Sequence, residues 1–328
     1  MRPRNSQPEI RPARLRTGFA LAALLLAAPA ALAHDFWIEP STFTPSVGPV
    51  HAARLLIGHP GAAEGYGRNP AHVAEFALVG PLAAPPAAAE RSEPASSSSI
   101  GAAGSARERA GDEADAPERR AVPGRDGADP AGLVRLPSEG RYVLVYRSNP
   151  STVEMEPADF EDYLREKGLE GVIAQRRELG ESDEPGREAF SRCAKALVTT
   201  ANAPAGARAP CDTAVGLPLE LVLLDDPHFR TAASLRVRLD RAGEPLAGAL
   251  LHVESLAREP GAERETLSAW TDDAGVARLP LDAGEWLVTA VHAVRAAEGS
   301  AQQWRSRWAS LAFAATARPS SDSSEEGR

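Results

Sequence analysis

The segment "LSAWTDDAGVARLPLDAGEWLVTAVHAV", residues 267–294, constrains the fold more than any other. It holds three short runs of alternating apolar character, with Asp273-Ala274-Gly275 and Asp282-Ala283-Gly284 between them as turns. Alternation with period two puts one face of each run against a core. Upstream, "SLRVRLDRAGEPLAGALLHVESL" (234–256) adds two strands, and "WASLAF" (308–313) closes the set. Short strands at regular spacing with Gly turns predict a β-sandwich over 228–316.

The first half repeats the signal. "HAARLLIG" and "HVAEFALVG" lie within 34–80, and "GRYVLVYRS" (140–148) alternates Tyr142, Leu144 and Tyr146 with Val143 and Val145. These belong to one β domain over 34–156. Residues 81–132 interrupt it with almost no large apolar side chain, so nothing offsets the entropy of ordering, and a disordered insertion is expected there. Two helices are predicted within a helical segment at 157–203. In "EPADFEDYLREKGLEGVIAQRREL", Phe160 and Leu164 stand at i, i+4 behind Pro157. Leu169, Val172 and Ile173 extend that stripe past Gly168, which suits a break or cap. In "SDEPGREAFSRCAKALVTTA", Phe190, Cys193 and Leu197 share a helical face. A linker with a bridging strand, "LPLELVLLDD", fills 204–227, and residues 317–328 read as a disordered tail. The predicted class is mainly β with a helical insertion: two immunoglobulin-like β-sandwich domains joined by a short two-helix segment.

The start of the chain has three parts: a basic region, the apolar run "TGFALAALLLAAPA", and "ALA" at 31–33. That layout reads as a signal peptide over 1–33 cleaved before His34, which predicts a periplasmic or extracellular protein. The apolar run is short for a membrane span of roughly 20 residues, and no later stretch replaces it. The chain carries a net charge of -9, and residues 1–33 hold five Arg and one Glu; removing that +4 segment leaves -13. A surface this acidic argues against nucleic acid as a partner. Export permits a disulfide between the two cysteines, Cys193 and Cys211, which would contribute roughly 3 kcal/mol if unstrained; the alternative is two buried free thiols.

Phosphate loops, dinucleotide fingerprints, nucleophile elbows, zincin motifs and CxxC pairs are all missing from the sequence. Nothing in it marks a catalytic residue. The seven histidines carry more. Once freed by cleavage, His34 would hold an α-amine and its own Nδ1 in one chelate ring, a start suited to copper, nickel or cobalt. The bland alternative is that His34 simply begins a strand. His252 and His292 sit in strands among apolar residues and read equally well as core histidines; Asp35 and Glu39 read either as groups that orient a ligating His34 or as solvated charges.

Several dispersed stretches resemble the NikM-like family of exported proteins. They are "AHDFWIEP", "VYRSNPSTVEMEPADFEDYLREKGL", "SRCAKAL", "VGLPLELV", "GEPLAGALLHV", "TDDAGVARLPLDAGEWLVTAVH" and "WASLAF". The resemblance implies periplasmic metal binding in support of nickel or cobalt uptake, with a membrane metal permease as partner. It falls on His34 and His292 as the metal-ligating pair. The C-terminal stretches also resemble transthyretin-like and collagen-adhesin-B-type sandwich modules, which imply a fold without a metal. Two alternatives follow: a structural or carbohydrate-binding sandwich with an exposed aromatic platform at Trp304 or Trp308, and a copper enzyme with a histidine brace.

Overall fold

Alternation along the chain sorts side chains onto two faces of a central sheet, and that sorting builds the molecule. A computed structural model describes residues 34–82, 118–203, 213–228, 232–256 and 264–317. In chain order the first strands are β1 (Asp35–Pro40), β2 (Val50–Gly58), β3 (Glu64–Gly65), β4 (Val73–Val79), β5 (Arg119–Ala121), β6 (Gly132–Arg135), β7 (Arg141–Ser148) and β8 (Ser151–Met155). Helices α1 (Pro157–Glu166) and α2 (Glu170–Glu178) follow, then β9 (Gly186–Thr199) and β10 (Leu219–Leu223). The last strands are β11 (Leu235–Arg241), β12 (Glu244–Pro245), β13 (Leu250–Ser255), β14 (Thr266–Trp270), β15 (Val276–Leu279), β16 (Gly284–Arg295) and β17 (Trp304–Ala315).

Three sheets stack. The central one has the order β14-β13-β16-β17-β9-β7-β4-β5, with β8 paired to β9. β1, β2, β3 and β6 form an outer sheet on one face, and β10, β11, β12 and β15 form another on the opposite face. Phe36, Trp37 and Ile38 pack with Leu144, Tyr146, Ala194 and Leu287 in the first core. Leu221, Val237 and Leu279 pack with Val143, Leu197, Val288 and Leu311 in the second. Phe160, Tyr163 and Leu164 of α1 and Val172 and Ile173 of α2 cover Val291, Trp304 and Trp308 of the central sheet. The chain is therefore mainly β, a layered sandwich with a two-helix insertion. Residues from Leu32 onward form one compact unit. The two β segments read from the sequence share the central sheet, with β9 as the seam: it runs antiparallel to β7 and parallel to β17.

Two expectations are corrected. "SDEPGREAFSRCAKALVTTA" is not a helix; its core is the strand β9. Phe190, Cys193 and Leu197 fit a helical stripe, but Cys193 and Leu197 also lie an even number of residues apart and share one sheet face. The long-range pairing on both sides decided the outcome, which local pattern cannot show. The second helix is instead α2, where the stripe of Val172 and Ile173 resumes after Gly168, whose φ of +68° breaks α1 from α2. The second correction concerns 81–132. Its end is ordered: β5 pairs with β4, Val122 and Ala131 are buried, and the Arg68 guanidinium donates to both of their carbonyls. A single arginine 54 residues upstream of Val122 supplies what the local composition lacks. The rest of that insertion, 83–117, lies outside the described residues, as do the expected signal peptide 1–33 and residues 318–328 of the expected tail 317–328. Among the described residues no helix is long and apolar enough to cross a membrane.

Candidate metal centre

The first ordered strand sets the site. β1 pairs antiparallel with β2, with Asp35 opposite Gly58. One residue beyond that pair, the register places His34 opposite His59. Their rings meet edge-on, with centroids 5.5 Å apart and planes at 71°. Gly58 has φ of +127° at the end of β2, a conformation open to glycine, and it turns the chain so that His59 follows the strand closely. Across from this hairpin, β13 presents Glu254 on the face opposite to Leu251 and Val253, which point into the second core. One ligating atom each from Asp35, His59 and Glu254 lies within 4.8 Å of the others. Asp35 is buried, Glu254 half-buried and His59 exposed, so the cluster opens toward solvent on the histidine side.

A second set of groups backs the cluster. Lys167, at the C-terminal end of α1, places its Nζ 3.3 Å from Asp35 Oδ1 and 2.9 Å from Glu166 Oε1. Burial opposes its charge, but Asp35 and Glu166 more than offset it, and its pKa is raised. The Nε2 of His252 lies 2.8 Å from the carbonyl of Glu166. A carbonyl only accepts, so Nε2 carries the proton. Burial, then the nearby Lys167 ammonium, lower the pKa of that ring. For Glu254, burial and then the Asp35 carboxylate raise the pKa.

The other residues singled out in the sequence lie elsewhere. His292 continues the face of Trp286, Val288 and Ala290 toward the second core, and Arg241 and Arg307 lower its pKa after burial does. Glu254 occupies the opposite face of the same sheet, so the structure does not bring His292 to His34. His51 Nε2 bonds to the Ser46 carbonyl, and His72 Nδ1 to the Tyr66 hydroxyl at 2.5 Å. His228 is packed beside Asp226, 3.9 Å away. Cys193 is buried and has no disulfide partner among the described residues; Cys211, its expected partner, lies outside them. Trp304 and Trp308 are buried and form no exposed platform. Sequence reading passed over His59 and Glu254. The one available signal was the antiparallel pairing of "DFWIEP" with "HAARLLIG", whose register puts Asp35 opposite Gly58.

One imidazole and two carboxylates, with a second imidazole adjoining, form a mixed nitrogen and oxygen donor set. Such a set suits divalent zinc, nickel, cobalt or copper better than calcium or magnesium, which take oxygen alone. The fold and the cluster together define a layered β protein with a histidine-carboxylate centre at the start of its first strand. The family model described as a domain of unknown function (DUF4198) matches residues 31–294, and the chain belongs to that family. No curated protein matches the chain, and no solved structure matches it.

Proposed function

We propose that this chain is an exported, periplasmic metal-binding protein whose centre is built on His34 as the first residue of the processed form. Asp35, His59 and Glu254 supply the remaining donors. The observation that carries this reading is the convergence of those three residues beside His34. Cleavage after Ala33 would add the α-amine of His34 to the donors. The resemblance to nickel- and cobalt-uptake proteins supports one of those two ions, and a membrane metal permease as the recipient. The residue once paired with His34 on resemblance, His292, is replaced in this reading by His59.

Titration of nickel(II) into protein beginning at His34, beside an Asp35→Asn, Glu254→Gln double variant, tests it. One ion per chain, with affinity lowered at least tenfold in the variant, is expected. Equal affinity in both would overturn it.

A further inference from the structure

The metal centre leaves one buried charge to be explained. Lys167 is 3% exposed. Lysine is almost never buried this far unless it is paired. Its partners are Glu166 at 2.9 Å and Asp35, a carboxylate of the centre itself, at 3.3 Å. Its backbone is set by the helix rather than by the site. The backbone N–H of Lys167 donates to the Tyr163 carbonyl, which closes α1, and Gly168 turns the chain away behind it. The ammonium lies 5.5 Å from the centroid of the Trp308 ring, which stacks on Tyr163 with planes 6° apart. The helix and the aromatic pair thus deliver a fixed positive charge to the back of the cluster.

We propose that Lys167 determines which ions the centre accepts. Shared between Glu166 and Asp35, it offsets part of the Asp35 charge before any ion enters, and it repels an incoming dication afterwards. Hard ions such as calcium bind through the number and charge of carboxylate oxygens. With Asp35 already shared with an ammonium, the centre offers them little. Transition ions gain additional bonding to imidazole nitrogen, which the ammonium leaves untouched. Lys167 therefore weakens binding of every dication and weakens the hard ones most, so that nitrogen ligation by His59 and His34 decides occupancy.

This inference rests on the metal reading above, and the test separates the two. Nickel(II) and calcium(II) are titrated into protein beginning at His34, in the wild type and in the Lys167→Met, Lys167→Gln and Lys167→Arg variants. Methionine keeps the stem packed on Trp308, and glutamine keeps a donor for Asp35 without the charge. Thermal melts with and without metal report folding. The expected result is nickel affinity raised about tenfold in both neutral variants, calcium affinity raised by more, and arginine behaving as lysine does. A larger metal-induced rise in melting temperature in Lys167→Met than in the wild type accompanies it. If the wild type binds nickel and the neutral variants bind it equally or less well, the selectivity role is overturned and the metal centre stands. If neither the wild type nor any variant binds either ion, both fall.

Discussion

The rings of His34 and His59 meet edge-on at 5.5 Å, one residue beyond the Asp35–Gly58 pair that opens the first hairpin. The contact ties the first described residue to a turn residue 25 positions later. It also sets the expected processing site directly beside the candidate metal centre. If the α-amine is a ligand, its conversion to a peptide nitrogen removes a donor. Protein with one additional residue before His34 is expected to bind nickel(II) at least tenfold more weakly than protein beginning at His34, measured by calorimetric titration. Equal affinities would exclude the amine.

Glu188 gives the fold a pH dependence. It is 1% exposed beneath the helices, accepts a hydrogen bond from Ser306, and has its other oxygen unpartnered. Burial raises its pKa to about 7, from 4.5. The folded state therefore holds this proton more tightly than the unfolded state does. Its contribution is fully present below the unfolded value and is lost as pH rises to the folded one. A shift of that size corresponds to about 3 kcal/mol. Between pH 5 and 8 the wild type is expected to lose that much stability relative to Glu188→Gln, read from urea denaturation at each pH.

Gly186, where β9 begins, lies under α1. A Cβ there would meet the Phe160 ring at 2.2 Å, at the ring atom nearest the backbone rather than at a flexible end. Phe160 is fully buried and has no room to retreat. Gly186→Ala is expected to destabilise by about 2–3 kcal/mol through overpacking, measured as a lower denaturation midpoint with an unchanged slope.

Glu220 anchors the seam between β9 and β10. It accepts from Lys195 at 2.7 Å and from the backbone N–H groups of Val215, Gly216 and Leu217. Both partners of the pair are buried. Glu220→Ala takes the carboxylate from a buried ammonium, which keeps its bond to the Thr213 carbonyl, and takes the acceptor from three backbone donors. A loss of about 3–5 kcal/mol is expected in chemical denaturation. A loss under 1 kcal/mol would show that Lys195 finds other compensation.

The β character of the chain was legible because alternation is a local property: "GRYVLVYRS" and "GEWLVTAVHAV" show it residue by residue. The strand β9 was not, since a strand flanked on both sides in a sheet is defined by partners that run from 46 residues away (Arg147 with Cys193) to 116 residues away (Trp304 with Glu188). The ordered end of the insertion was hidden for the same reason, because Arg68 holds it from a distance. At the site, His34 stood out by its position after the expected cleavage. His59 did not, because its role depends on a hairpin register and not on its neighbours. Glu254 reads as an ordinary strand carboxylate until β13 is placed opposite the hairpin. His292 lies in the resemblance-bearing stretch within β16, whose parity turns it to the sheet face opposite Glu254.

The most direct measurement compares two histidines in one titration. Nickel(II) is added to protein beginning at His34, to His59→Ala and to His292→Ala. The expected result is one ion per chain in the wild type, at least tenfold weaker binding in His59→Ala, and wild-type affinity in His292→Ala. Binding that survives loss of His59 but not of His292 would contradict the centre described here.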